Sequence, residues 1–143
     1  MKNELRTSFL SISRNEALAR GIASSFCMLL DPTVEQLSDV RTSVSEAVTN
    51  AIVHGYGRPD GIVYMELTSC DGLLTVTVRD KGRGIEDIAL ARQPFYTTAA
   101  AEERTGMGFA VMEAFMDSVE VNSAPGRGTE VIMRKRISTH DKS

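Results

Sequence analysis

A hairpin signal near the middle of the chain constrains the fold more than any other feature. Residues 62–69 and 73–79 are both strand-like, and Asp71-Gly72 stands between them. An Asp-Gly pair between two such segments is typical of a tight turn that joins antiparallel strands. We therefore expect a β-hairpin over residues 62–79.

A strand and a helix are predicted before this hairpin. Residues 5–12 alternate loosely and favour a first strand. Ser13-Arg14-Asn15-Glu16 has the Ser-x-x-Glu spacing of a capping box, which predicts a helix that runs to about Leu30. The apolar residues at helical spacing, which we expect on its buried side, are Leu18, Ile22, Phe26 and Leu29.

A second helix is predicted from about Thr33 to His54. Asp31-Pro32 indicates a stop and a new start, with Asp31 as the cap and Pro32 in the first helical position. Gly55 is expected to end the helix. Its apolar stripe comprises Leu37, Val40, Val44, Val48, Ala51 and Ile52.

The segments after the hairpin complete the expected fold. A glycine-bearing loop follows Asp80, and then come a short helical stretch over 85–91 and a long aperiodic loop over 92–105, of the kind that is usually functional. A helix over 107–116, a strand over 119–122 and a last strand ending at Ile137 follow. This order predicts an α+β fold, a two-layer sandwich whose mixed, mostly antiparallel sheet is covered by helices, as one domain over residues 1–143.

Composition excludes several classes of function. The chain has 143 residues and a net charge of −3, and no block of Lys or Arg indicates a nucleic-acid arm. Cys27 and Cys70 stand far apart without neighbouring ligands, so neither zinc nor a disulfide framework is expected, and Cys27 is expected to be a buried thiol. Neither a signal peptide nor an apolar run of membrane-spanning length is present, so we expect a cytoplasmic protein without membrane contact.

Three polar residues recur inside the second predicted helix. Glu46, Asn50 and His54 are spaced i, i+4 and i+8 and share one face. Asn is unfavourable inside a helix, but its side-chain oxygen is a suitable ligand for Mg²⁺. Glu46 could polarise a nucleophile that attacks a γ-phosphate. The alternative is a solvated polar face.

Two glycine-bearing segments indicate a nucleotide. Asp80-Lys81-Gly82-Arg83-Gly84 follows a strand, so Asp80 could accept a hydrogen bond from the exocyclic amine of adenine while Gly82 and Gly84 allow close approach of a flat base. An ordinary turn is the alternative. Thr105-Gly106-Met107-Gly108 precedes a helix, whose N-terminus favours an anion, although a hinge would also explain it. Thr129 follows Gly126-Arg127-Gly128, which is typical of a hairpin turn, and could be a polar contact in the pocket.

The order of these segments resembles the ATPase and kinase family that includes gyrase B, the 90-kDa heat-shock chaperone, histidine kinases and MutL. The resemblance covers essentially the whole chain. It implies that Asn50 holds Mg²⁺, that Asp80 meets the adenine amine, and that residues 106–108 lie against the phosphates of ATP. Loop 92–105 would be the ATP lid. The matching positions are Glu46 and Asn50, then Asp80, Gly82 and Gly84, then Gly106 and Gly108, and finally Thr129.

Residues 46–56, 92–98 and 105–109 are similar to the anti-sigma F factors of endospore-forming bacteria. That resemblance implies a homodimeric protein serine kinase that inhibits a sporulation sigma factor and phosphorylates its anti-anti-sigma antagonist. Glu46 would be the general base, since phosphoryl transfer needs an oriented nucleophile. Thr97, Thr98, Arg104 and Thr105 would contact the γ-phosphate, although the lid has no lysine and a solvated loop would also explain them. A histidine kinase is not expected, since there is no room for its dimerisation segment.

Partner contacts are the least determined feature. Glu16 and Arg20 are spaced i, i+4 and could contact the sigma factor or its antagonist, or simply form a surface ion pair. Two other functions stay open: the related anti-sigma kinase of the general stress response, and a noncatalytic module whose binding surface depends on ATP.

Overall fold

A five-stranded antiparallel sheet, covered on one face by helices, forms the fold in a computed structural model that describes residues 2–86, 88, 92 and 108–137. The strand order is β1-β2-β3-β5-β4, and every described pair is antiparallel. The α+β sandwich with a mostly antiparallel sheet is therefore confirmed. The strands are β1 (Lys2–Leu10), β2 (Ile62–Cys70), β3 (Leu73–Asp80), β4 (Ser118–Ser123) and β5 (Thr129–Arg136).

The predicted hairpin is confirmed as β2 and β3. Asp71 has a φ of 51° and Gly72 a φ of 83°, and Cys70 pairs with Leu73 across the turn. Two consecutive positive φ values are what a two-residue hairpin turn of the primed type requires, and Asp-Gly accepts them at little cost.

The helices on the sheet are α1 (Asn15–Met28), α2 (Val34–Thr49) and α3 (Gly108–Phe115). The predicted start of α2 near Thr33 is confirmed, but the predicted cap was wrong, because the N-cap is Thr33 and not Asp31. The Thr33 hydroxyl accepts the Gln36 backbone N–H at 3.0 Å, and the Gln36 side chain accepts the Thr33 N–H at 2.9 Å. This capping box satisfies two backbone donors and leaves Pro32 outside the helix. None of the described helices has both the length and the apolar character needed to cross a membrane.

The predicted cap and part of the predicted buried side of α1 were also wrong. Arg14 is the N-cap position and no side chain caps the helix. Because α1 packs on α2, small side chains face the core, and the buried residues are Ala19, Ala23, Phe26 and Cys27. Leu18 and Leu29 lie outside, 52% and 71% exposed. The expected burial of Cys27 is confirmed.

The C-terminal end of the second predicted helix winds as a π-helix over Asn50–Tyr56. The Gly57 N–H donates to the Ile52 carbonyl at 2.9 Å, and Gly57 has the left-handed φ of 66°. The helical stretch therefore ends after Tyr56, and the prediction that Gly55 ends it was wrong. The predicted apolar stripe is confirmed as core, with Leu37 partly buried. Short π-helical segments occur frequently at functional sites.

Candidate functional site

A cleft between this π-helical segment and the end of β3 contains most of the described residues that the sequence marks as nucleotide ligands. Its empty volume, including the open mouth, is about 390 Å³. The polar or backbone-exposing part of the lining consists of Asn50, His54, Gly55, Asp80, Gly84 and Thr129, and the apolar part of Ala47, Ala51, Val78, Ile85, Phe109 and Val131. A mixed lining of apolar side chains and a few polar groups is typical of small-molecule sites.

Asp80 is the last residue of β3 and is 8% exposed. Its Oδ1 accepts the Gly82 N–H at 2.9 Å, and its carboxylate also accepts the Thr129 N–H. Burial raises the pKa of Asp80 to about 6, and the two N–H bonds oppose that rise. At neutral pH the side chain is therefore mainly ionised and can only accept hydrogen bonds.

The loop after Asp80 is held by two residues of the π-helical segment, Gly55 and Tyr56. The Lys81 N–H donates to the Tyr56 hydroxyl at 2.7 Å, and the Tyr56 hydroxyl donates to the Ile62 carbonyl at 2.6 Å. The Arg83 N–H donates to the Gly55 carbonyl at 2.9 Å. These bonds fix the backbone of the loop without any ligand.

Both glycines of this loop make backbone contacts that no side chain would allow. A Cβ on Gly82 would lie 1.9 Å from the Gly55 carbonyl oxygen. A Cβ on Gly84, whose φ is +77°, would lie 2.0 Å from the Ala124 carbonyl oxygen. The two glycines are therefore required by packing of the loop against its neighbours.

Asn50 lines the end of the cleft away from Asp80. Glu46 and Gly108 lie close to its side chain. A Cβ on Gly108, the first residue of α3, would be 3.3 Å from Asn50 Nδ2 and 3.4 Å from Glu46 Oε1. The Asn50 Nδ2 atom is buried and has no hydrogen-bond partner within the described residues. A buried amide without a partner is costly in a folded protein, so this atom stands ready for a ligand.

Glu46 is half-buried and faces a second, polar cleft. Burial raises the pKa of Glu46 first, and the negative charge of Glu16 raises it further. Glu16 itself accepts a short hydrogen bond from Ser45 and lies 3.2 Å from Arg20 Nη1. This cleft is lined by Arg20, Ser38, Arg41, Thr42, Ser45 and Glu46.

The sequence profile of the histidine kinase-like ATPase domain matches residues 13–135. The anti-sigma F factor of Oceanobacillus iheyensis is 52% identical over 139 residues, which are 96% of this chain and 95% of that protein. The anti-sigma F factor of Clostridium perfringens is 49% identical over 97% of this chain and 100% of its own length. The chain belongs to the anti-sigma F factor family. The predicted resemblance is confirmed.

Solved structures share the fold of this anti-sigma F factor family member at low identity. The RsbU and RsbW domains of a Mycobacterium tuberculosis protein superpose with a TM-score of 0.67 at 19% identity, over 96% of this chain and 33% of that one. The catalytic domain of the histidine kinase ThkA superposes with a TM-score of 0.59 at 14% identity, over 93% of this chain and 96% of its own.

Several predicted ligands lie outside the described residues of this family member, namely Thr97, Thr98, Arg104, Thr105, Gly106 and Met107. Of the predicted lid, Arg92 is described. Its Nε donates to Glu113 of α3 at 2.7 Å, and its Nη2 donates to the Val119 carbonyl at 3.0 Å. The start of the predicted lid is thus bonded to α3 and β4.

Sequence reasoning missed three residues that shape the cleft. The local pattern indicates a helix stop at Gly55 and no contact with Asp80, yet a Cβ there would lie 2.6 Å from Asp80 Cγ. The Tyr56 hydroxyl bonds the loop after Asp80, as described above. Ser123 bonds both that loop and the start of β5. A Gly-Tyr pair after a helix carries a weak local signal, and a serine in an exposed strand carries none.

Proposed function

We propose that the chain is an ATP-dependent protein serine kinase that also binds and inhibits a sporulation sigma factor, and that its substrate is a serine of an anti-anti-sigma protein. The observation that carries the proposal is the juxtaposition of Glu46 and Asn50 with the start of α3. Glu46 adds a carboxylate that nucleotide binding alone does not need. The names of the 49–52% identical relatives support the sigma factor as partner.

The adenine would enter the end of the cleft that contains Asp80. Asp80 would accept its exocyclic amine, and Gly84 would line the cleft beside the ring. Because the surrounding loop is already fixed by internal hydrogen bonds, binding would cost little ordering of the protein. His54 and Thr129 line the same cleft and would complete it.

The phosphates and Mg²⁺ would lie between Asn50 and α3. The buried, unpartnered Nδ2 of Asn50 would donate to a phosphate oxygen, and the Oδ1 of the same amide would be a ligand for an ion that takes one or two protein ligands and obtains the rest from phosphate and water. Among the described residues, no cluster of three or more His, Cys, Asp or Glu forms a metal site of another kind. Mg²⁺ would neutralise charge on the phosphates. Gly108 would let them approach the N-terminus of α3, whose dipole favours an anion.

Glu46 would orient the serine hydroxyl of the substrate and take its proton. The carboxylate reaches the polar cleft on one side and Gly108 on the other, so it lies where a protein substrate could meet the phosphates. The raised pKa of Glu46 makes it a better proton acceptor than an ordinary carboxylate.

The partner surface would begin at the polar cleft. Glu16 and Arg20 form an ion pair beside this cleft and would contact the sigma factor or its antagonist.

A homodimer is also proposed. Among the described strands β1 pairs only with β2, and the exposed Leu18 and Leu29 of α1 lie nearby in an apolar groove with Leu5. An open strand edge beside apolar side chains favours association.

A phosphorylation assay tests the proposal. The full chain is incubated with Mg²⁺, γ-labelled ATP and an anti-anti-sigma protein, and the modified residue is identified by mass spectrometry. Glu46→Gln should lower the rate by about 10²- to 10⁴-fold while ATP affinity stays within a factor of about three. Glu35→Gln, at an exposed position of the first turn of α2, is the matched control and should keep full activity. Unchanged labelling in Glu46→Gln would exclude Glu46 as the base.

A binding panel tests the identity of the partner. The immobilised chain is presented with purified sporulation and stress-response sigma factors, with and without Mg-ATP. Retention of a sporulation sigma factor alone is expected. Preferential retention of a stress-response sigma factor would replace it as the partner without affecting the kinase assignment.

A further inference from the structure

Ser123, the last residue of β4, joins three segments around the cleft. Its Oγ accepts the Ile85 N–H at 2.9 Å, donates to the Gly128 carbonyl at 2.9 Å, and lies 2.8 Å from Thr129 Oγ1. One side chain therefore bonds the loop after Asp80, the turn before β5 and the hydroxyl of Thr129.

The single proton of the Ser123 hydroxyl fixes the direction of these bonds. The Gly128 carbonyl can only accept, so Ser123 donates its proton there. The Thr129 hydroxyl must then donate its own proton to Ser123. Since the Thr129 N–H donates to the Asp80 carboxylate, both donors of Thr129 are engaged inside the protein. What Thr129 can offer to the cleft is a lone pair.

We propose that Ser123 is a specificity-determining positioning residue, which holds the Thr129 hydroxyl as an acceptor so that Thr129 and Asp80 give the cleft a polar edge made only of acceptors. The inference rests on the proposed nucleotide site and deepens it. Such an edge selects a purine with an amino group at position 6 and rejects a purine with an oxo group there.

The selection follows from hydrogen-bond polarity. A 6-amino group brings two donors to the two acceptors, whereas a 6-oxo group opposes lone pairs to them, and a 6-oxopurine keeps only its N1–H as a donor on that edge. A threonine hydroxyl that is free to rotate would relieve this conflict by donating to the oxo group. Ser123 prevents that rotation by taking the proton.

The test compares ATP with inosine triphosphate, whose base carries the 6-oxo group but lacks the 2-amino group of guanine. Affinities of the full chain for both nucleotides are measured by calorimetry with Mg²⁺. Ser123→Ala should lower the preference for ATP by about tenfold, because the freed Thr129 hydroxyl can then turn toward the oxo group. Ser118→Ala, in the exposed first position of β4, is the matched control and should leave the preference unchanged.

A double-mutant cycle separates positioning from simple structural support. In a Thr129→Val background, which has no hydroxyl to orient, Ser123→Ala should leave the preference unchanged, and Ser123→Thr in the wild type should retain it. Equal weakening of both nucleotides by Ser123→Ala, or the same loss of preference in the Thr129→Val background, would overturn the inference. If Ser123→Ala does not fold, Thr129→Val decides alone: lost preference supports the inference and retained preference overturns it. Failure of the wild type to bind ATP would instead remove the proposed function itself.

Discussion

The two ends of the cleft are constructed in opposite ways. At the base end, Asp80 and the loop that follows it are bonded to Gly55, Tyr56 and Ser123 before any ligand arrives. At the phosphate end, the buried Nδ2 donor of Asn50 has no partner among the described residues. The polar groups of the base end are thus hydrogen-bonded within the folded protein, whereas the phosphate end has a buried donor that no described residue satisfies. We expect mutations at the base end to affect stability and binding together, and mutations at the phosphate end to separate them.

The largest effect is expected from Gly84→Ala. The new Cβ would lie 2.0 Å from the Ala124 carbonyl oxygen at a φ of +77°, so the loop must shift. We expect the free energy of unfolding to fall by about 3 kcal/mol and ATP affinity to fall by more than about 100-fold. Urea denaturation and calorimetry measure the two quantities.

Gly126→Ala provides the matched control for this change. Gly126 has the same φ of +77° but has no atom within 4 Å of an added Cβ. The cost of the left-handed conformation alone should be about 1 kcal/mol, with ATP affinity preserved. Equal destabilisation by the two substitutions would mean that close packing of the loop against Ala124 does not matter.

Asp80→Asn should also change stability and binding together at the base end, but in opposite directions. The pKa of Asp80 is raised from 3.8 to about 6, so the folded state binds the proton more tightly than the unfolded state does. Ionisation of Asp80 therefore lowers the free energy of unfolding as pH rises from about 4 to 6, and the loss persists above pH 6. The asparagine variant should be more stable than the wild type by roughly 1–2 kcal/mol at pH 8 and gain nothing below pH 4.

The same variant should bind ATP about 100-fold more weakly at pH 8, because an amide replaces the ionised acceptor. Wild-type affinity should itself decline as pH falls below 6, when Asp80 becomes protonated. Denaturation curves and calorimetry at pH 5 and pH 8 provide both comparisons. A destabilised Asp80→Asn protein at pH 8 would show that the carboxylate contributes more to the fold than its burial costs.

The contrast between the ends also explains what the sequence could predict. The hairpin and the apolar stripe of α2 are predictable because they rest on local patterns, an Asp-Gly turn and a 3.6-residue period. The acidic residue at the end of β3 is predictable because its type follows from the chemistry of a base, whereas the structural reason for the two glycines, packing against Gly55 and Ala124, is not. The relation of Asp80 to Gly55 is not, since it depends on a contact between residues far apart in the chain.

Helix α1 shows where local patterns mislead. Leu18 and Leu29 have helical spacing, but α1 packs on α2 through Ala19 and Ala23, and small residues give a weak periodic signal. The Ser13–Glu16 spacing matches a capping box, yet the carboxylate of Glu16 is engaged by Ser45 and Arg20. A tertiary contact overrides the local motif in both cases.

Asn50→Ala should separate stability from binding at the phosphate end. The side chain loses no donor bond within the described residues, and alanine is the better helix former, so the free energy of unfolding should change by less than about 0.5 kcal/mol or rise. Affinity for ATP in the presence of Mg²⁺ should fall by about 10- to 100-fold, with a smaller loss in EDTA. Thr49→Ala, at the exposed preceding position, should change neither quantity. A large loss of stability in Asn50→Ala would contradict the contrast between the two ends.

The smallest effect is expected from Glu16→Gln, which should change the pH dependence of the phosphorylation rate. Burial is the first cause of the raised pKa of Glu46, and the charge of Glu16 is the second. Removing that charge should lower the pKa of Glu46 only partway, so the acidic limb of the phosphorylation rate should move to lower pH. The rate is measured at saturating substrate to separate this shift from weakened docking, and Glu35→Gln serves as the control. An unmoved acidic limb would mean that Glu46 does not titrate in the reaction or that its pKa is independent of Glu16, and the phosphate end would then be electrostatically isolated from the partner surface.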